Sequence, residues 1–77
     1  MEKLLNDFIV GEKGIVKTIL AVGPMKRRLF DMGVTPGTKI MMHKIAPLGD
    51  PLEITIRNYE LTLRRSEASL IKMEVIL

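Results

Sequence analysis

The sequence predicts a mainly β fold with one short helix, in which five short strands curl into a small, partly open barrel. Three observations lead there. Apolar and polar residues alternate through 52–57, 60–64 and 71–76, the period of strands with one buried face. A single stretch, 24–32, spaces Met25, Leu29 and Met32 by four and then three residues, which is the period of a helix. Five strands in a chain of 77 residues would expose long edges unless the sheet closed on itself.

The elements follow in order. Residues 4–7 form a short turn leading through Phe8 to Gly11, and Gly11 and Gly14 bracket a charged turn. Residues 14–20, rich in Ile and Val, form the first strand, and its imperfect alternation around Lys17 and Thr18 fits a bulge. Gly23-Pro24 starts the helix, because proline lacks only an N–H that the first helical turn leaves unpartnered. Gly33 ends it, in the left-handed position that favours a residue without Cβ. Thr35-Pro36-Gly37 is a type II turn, with Pro36 presetting φ and Gly37 supplying the positive φ that follows.

A strand over 40–45 then turns Ile40 and Met42 inward and Lys39, Met41 and His43 outward. After the loop 46–51, Leu52, Ile54 and Ile56 point inward from the next strand. Asn58-Tyr59 is the tight connection to 60–64, with Asn58 as its left-handed residue. Ser66 caps a single helical turn through Ser69, and Ile71, Met73 and Val75 face inward on the last strand.

The residues present bound the function. The chain is expected to be one domain, 1–77, too small to hold a deep catalytic cleft. With 47% apolar and 27% charged residues it has a core and is not disordered. Cysteine is absent, no signal peptide is recognisable and no run of apolar residues is long enough to span a membrane, so a cytoplasmic setting is expected. Three aromatic residues, Phe8, Phe30 and Tyr59, are too few for a base-stacking platform. No paired carboxylates and no nucleophile beside a base stand together, so no catalytic residue is assigned. The only histidine, His43, is read as a solvated side chain on an outer strand face, and the six methionines as core filling. No metal ligand and no cofactor is assigned.

The stretch 32–39, MGVTPGTK, invites comparison with a phosphate-binding loop, and fails it. That loop needs four residues between its glycines, Lys before Ser or Thr, a strand before it and a helix after. Here three residues separate Gly33 from Gly37, Thr38 precedes Lys39, and the helix comes first. A helix C-terminus is electronegative and repels phosphate, so no direct nucleotide binding is expected.

Two surface features stand out. Phe30 lies off the apolar stripe and either packs against Phe8 or serves as an exposed anchor for a partner. Lys26, Arg27 and Arg28, together with Arg64 and Arg65, form either a solvated basic face or a patch that recognises an acidic partner.

The chain resembles the FeoA family of small SH3-like proteins. The resemblance rests on Gly11 to Gly14 with the strand after them, Arg28-Leu29 through Met32-Gly33-Val34-Thr35-Pro36-Gly37, Ala46-Pro47-Leu48-Gly49-Asp50-Pro51, and Leu63-Arg64 with Glu67-Ala68 and Ile71. Asn58 stands where the family commonly carries Gly. The resemblance implies a non-enzymatic, cytosolic accessory of bacterial ferrous iron uptake, acting on the transporter FeoB, whose cytoplasmic part contains a GTPase domain. It would reach the membrane only through that partner, and weak self-association is left open. The same fold occurs as a terminal domain in iron-dependent repressors. The family brings no shared set of metal ligands to transfer here.

The partner-binding residues expected are Met25, Arg27, Arg28 and Phe30 on the helix and Leu48 at the tip of the long loop. The alternative is a small-barrel nucleic-acid, chiefly RNA, binding module using Lys26, Arg27, Arg28, Arg64 and Arg65. Direct iron sensing would need oxygen and nitrogen ligands that the sequence does not group.

Overall fold

The computed structural model describes residues 1–76. Nine residues, Gly23–Asp31, form the helix α1, and Arg65–Ala68 form the single turn α2. The strands are β1 (Glu2–Leu4), β2 (Lys13–Ile19), β3 (Lys39–Ile45), β4 (Leu52–Ile56), β5 (Tyr59–Leu63) and β6 (Ile71–Ile76), with a 3-10 turn, Leu5–Asp7, after β1. All pairings are antiparallel, in one open sheet ordered β1-β6-β2-β3-β4-β5.

The expected strands are present, and a sixth joins them. β1 pairs along β6 through Glu2↔Glu74, Lys3↔Met73 and Leu4↔Lys72, ahead of the turn expected from residue 4. Three residues are too few to display a period of two. β1 covers the outer edge of β6, whose backbone groups would otherwise be left unpaired.

Alternation fixes which side chains enter the core. Ile40 and Met42 of β3, Leu52, Ile54 and Ile56 of β4, and Ile71 and Met73 of β6 are fully buried, as their spacing predicts. Leu29 carries α1 onto this cluster, while Met25 and Met32 pack half-buried against it. β2 is bulged between Val16 and Thr18, as its broken alternation suggested.

The 32–39 stretch is structural in both halves. Gly33 has φ +90, its N–H donates to the Phe30 carbonyl at 2.9 Å, and the Val34 N–H donates to the Leu29 carbonyl at 2.9 Å. These two bonds are the Schellman closure of a helix, so Gly33 satisfies carbonyls that α1 cannot pair internally. The Tyr59 hydroxyl donates to the Met32 carbonyl at 2.6 Å and ties β5 to the same helix end. Gly37, at φ +91, and the Thr38 N–H donating to the Thr35 carbonyl at 3.1 Å complete the type II turn into β3.

Three local expectations are corrected. The left-handed residue between β4 and β5 is Arg57, at φ 56, not Asn58. Because Ile56 pairs with Tyr59, the loop is only Arg57 and Asn58, Tyr59 belongs to β5, and the positive φ falls on the first of the two loop residues. Ser66 does not cap α2. The cap residue is Arg64, and the Glu67 carboxylate reaches back to accept its N–H at 2.8 Å, the carboxylate half of a capping box. Finally, Phe8 is in the core at 2% exposure while Phe30 is 40% exposed, so the core does not take Phe30 in beside Phe8.

The surface of β1, β2 and β6 carries a pH-dependent contribution. Hydrogen bonds from Lys17 and then Lys72 hold the Glu2 carboxyl below its ordinary 4.5, and the Lys3 ammonium, joined by the Ile9 N–H, does the same for Glu12. A carboxyl whose folded pKa is depressed stabilises the fold above its unfolded value and loses that contribution as pH falls through the folded one. Thermal unfolding followed from pH 6 to pH 3 is therefore expected to show a midpoint that falls on acidification. In the Glu2→Gln/Glu12→Gln variant the fall is shallower, and added salt reduces the difference.

Candidate functional site

α1 presents its outer face because its inner face is consumed by the core. Leu29 is fully buried and Met25 and Met32 are half-buried against it, which leaves Lys26, Arg27, Arg28 and Phe30 facing outward. Two shallow grooves flank this ridge. Pro24, Arg27, Arg28 and Met32 line one, of about 560 Å³. Lys26, Arg27 and Phe30 line the other, of about 420 Å³, and Gly23 and Asp31 contribute to both. The Lys26 ammonium lies 5.8 Å from the centroid of the Phe30 ring, a cation–π distance.

Of the five residues expected to bind a partner, the structure brings Arg27, Arg28 and Phe30 together on this face. Met25 lies beneath it, in support. Leu48 is 97% exposed on the loop between β3 and β4, outside both grooves.

Arg28 has a second duty. Its Nη1 lies 3.5 Å from Oε2 of Glu67, whose side chain is only 5% exposed. The other oxygen of that carboxylate accepts the Arg64 N–H, so a buried negative charge that caps α2 is neutralised by a residue of α1. Arg65 is likewise engaged: its Nε donates to the Gly49 carbonyl at 2.8 Å and its Nη1 to the Asn6 carbonyl at 2.7 Å. These bonds fasten the Leu48 loop to α2 and to the 3-10 turn, and they remove Arg65 from the basic patch that the sequence suggested.

Two features escaped the sequence. A groove of about 580 Å³ runs from the 35–39 turn to the β4–β5 loop, lined by Lys13, Lys39 and Arg57 with Thr35, Thr38 and, from β4, Thr55. Its cations come from three separate elements, so no local run of charge announces it, and its chemistry favours anionic groups. On the outer face of the same meander, where Glu60 pairs with Thr55, His43 stands between two carboxylates. Its Nε2 is 3.7 Å from Glu53 Oε1 and 3.6 Å from Glu60 Oε2. A hydrogen bond with the Glu53 carboxyl, helped by partial burial, raises the Glu60 pKa above its ordinary value. His43 is thus a member of a cluster and not the solitary solvated side chain expected.

No helix among the described residues is long and apolar enough to cross a membrane. Known proteins agree with the architecture. A segment of a fusion protein of Fe(2+) transport protein A and the Fe(2+) transporter FeoB from Porphyromonas gingivalis is 31% identical over 72 residues, covering 94% of this chain but only 8% of that relative's length. The solution structure of a FeoA-like protein from Clostridium acetobutylicum superimposes with a TM-score of 0.91 at 38% identity, covering 99% of this chain and 88% of that one. Stenotrophomonas maltophilia FeoA, solved with zinc and described as an SH3 domain protein, matches with a TM-score of 0.81 over 94% of this chain and 89% of that one; at 22% identity it speaks for the SH3-like fold alone. The profile of the FeoA domain matches residues 3–75. Proteins of that family are linked to ferrous iron transport and are accessory transport proteins, not enzymes. By the profile match over nearly its whole length, by fold and by these relatives, the chain belongs to the FeoA family.

Proposed function

We propose that the chain acts as a single cytoplasmic adaptor that docks, through the outer face of α1, on the cytoplasmic part of a FeoB-type transporter in bacteria, and influences iron transport or nucleotide turnover there. One observation carries the reading: Arg27 and Phe30 stand exposed between two grooves on a helix that Leu29 anchors rigidly to the core. An aromatic ring beside arginine on a fixed helix is the composition of an interface hot spot, and the surrounding cations suit an acidic surface. The fusion relative, in which the two proteins share one polypeptide, supports the choice of partner. Leu48 is an outlying apolar contact, and nucleotide enters only through the GTPase domain of the partner.

Calorimetric titration of the chain into the purified cytoplasmic part of a cognate FeoB tests this. Saturable binding with one chain per transporter domain is expected, and the absence of heat at tens of micromolar of both proteins would count against it. Nucleic-acid binding is less favoured, because Arg65 is committed to the Gly49 and Asn6 carbonyls and Arg28 faces Glu67. A steeply salt-dependent mobility shift of RNA would restore that reading.

A further inference from the structure

We propose that His43, Glu53 and Glu60 form a binding site for one divalent first-row transition-metal ion on the outer face of the β3–β4–β5 meander. The inference does not depend on the docking of α1.

The three side chains come from three adjacent strands, and the ladder dictates their convergence. β3 and β4 shift register between Met42 and Lys44, so His43 is the bulged residue, the position from which a strand can re-aim a side chain. Glu53 lies outward on β4 because Leu52 and Ile54 on either side of it are locked in the core. Glu60 pairs with Thr55, two residues along β4 from Glu53 on the same face, which places it diagonally across the ladder within reach of a long side chain.

The resulting geometry suits a metal. One ligand atom from each residue lies within 4.8 Å of the other two. Ligands bound to one zinc-like ion at about 2.0–2.2 Å stand roughly 3–3.5 Å from each other. The observed separations from Nε2, 3.6 and 3.7 Å, need only small rotations of exposed side chains to close. One imidazole nitrogen with two carboxylate oxygens is a ligand set for Fe²⁺, Co²⁺ or Zn²⁺, whereas Mg²⁺ and Ca²⁺ prefer oxygen alone.

Charge points the same way. Two carboxyl groups face a single imidazole, so the donor atoms that converge here are mostly oxygens suited to a cation seated among them. The groups are half-exposed, which leaves coordination positions for water or a further ligand. The competing explanation is an ion triad in which protonated His43 alone bridges the two glutamates.

Anaerobic calorimetry with Fe²⁺, and separately with Zn²⁺ and Mg²⁺, on the full chain decides between them. One equivalent of Fe²⁺ or Zn²⁺ is expected with micromolar affinity, and Mg²⁺ at least about 100-fold weaker. His43→Ala should weaken Fe²⁺ binding about tenfold or more, and Glu53→Gln/Glu60→Gln should abolish it, with circular dichroism unchanged. At a free metal concentration tenfold above Kd the unfolding midpoint of the parent chain should rise by roughly 5–10 °C, and that of the double variant should not move. As a second readout, Mn²⁺ should broaden the amide resonances of residues 43, 53 and 60 before others. No saturable binding below millimolar metal, undiminished binding by His43→Ala, or equal affinity for Mg²⁺ would each overturn the site and leave the ion triad only.

Discussion

Leu29→Ala is expected to lower the stability of the fold by about 2–5 kcal/mol, the range for removing a fully buried leucine that the surroundings cannot refill. Leu29 has no exposed surface, and its carbonyl accepts the Val34 N–H that closes the helix end. Its side chain is the fully buried anchor between α1 and the core, with Met25 and Met32 only half-buried beside it. A domain of this size has about 4–12 kcal/mol in total, so the substitution consumes a large part of it. Chemical denaturation should show a lower midpoint, and hydrogen exchange should show residues 23–31 opening before β2 and β6. An unchanged midpoint would mean that α1 is not held as described.

Arg27→Glu/Phe30→Ala is expected to weaken association with the cytoplasmic part of FeoB about 10- to 100-fold while leaving the fold intact. Both side chains are exposed, and Arg27 lines both grooves of α1, so neither substitution opens the core. Arg28 is a less clean probe. Arg28→Glu would set a second carboxylate beside the buried Glu67, whose oxygens are needed at the start of α2, and so would disturb the fold as well as the face. Calorimetry on the double variant, with thermal unfolding as the control, separates loss of docking from loss of structure. Affinity equal to that of the parent would remove α1 from the interface.

The elements most legible in the sequence are those whose signal is local. Leu52, Ile54 and Ile56 announce β4 by alternation alone, and the core takes all three. Gly33 and the Thr35-Pro36-Gly37 turn are equally plain, because the positive φ they adopt excludes most other residues. What remained hidden depends on register or on distant partners. β1 is too short to show a period and exists because β6 needs a neighbour. The preference of asparagine for left-handed backbone pointed to Asn58, but the pairing of Ile56 with Tyr59 assigned that conformation to Arg57. Ser66 had the chemistry of a cap, yet Glu67 performs the task from inside the turn, with Arg28 of a distant helix balancing its charge.

The candidate sites divide in the same way. The exposed face of α1 could be read from helical periodicity, which also set Phe30 off the apolar stripe. Whether Phe30 is covered could not be read, since that depends on where Phe8 packs; Phe8 fills the core and the ring of Phe30 is left under Lys26. The His43, Glu53 and Glu60 cluster needs two hairpin registers and a bulge to assemble, none of which leaves a mark in the spacing of those residues.

Docking of α1 on the transporter is accessible to mapping of amide chemical shifts during titration with the cytoplasmic part of FeoB. The perturbed resonances are expected to concentrate in residues 23–31, with lesser changes around Leu48. Perturbations centred instead on the groove of Lys13, Lys39 and Arg57, with α1 unaffected, would contradict it.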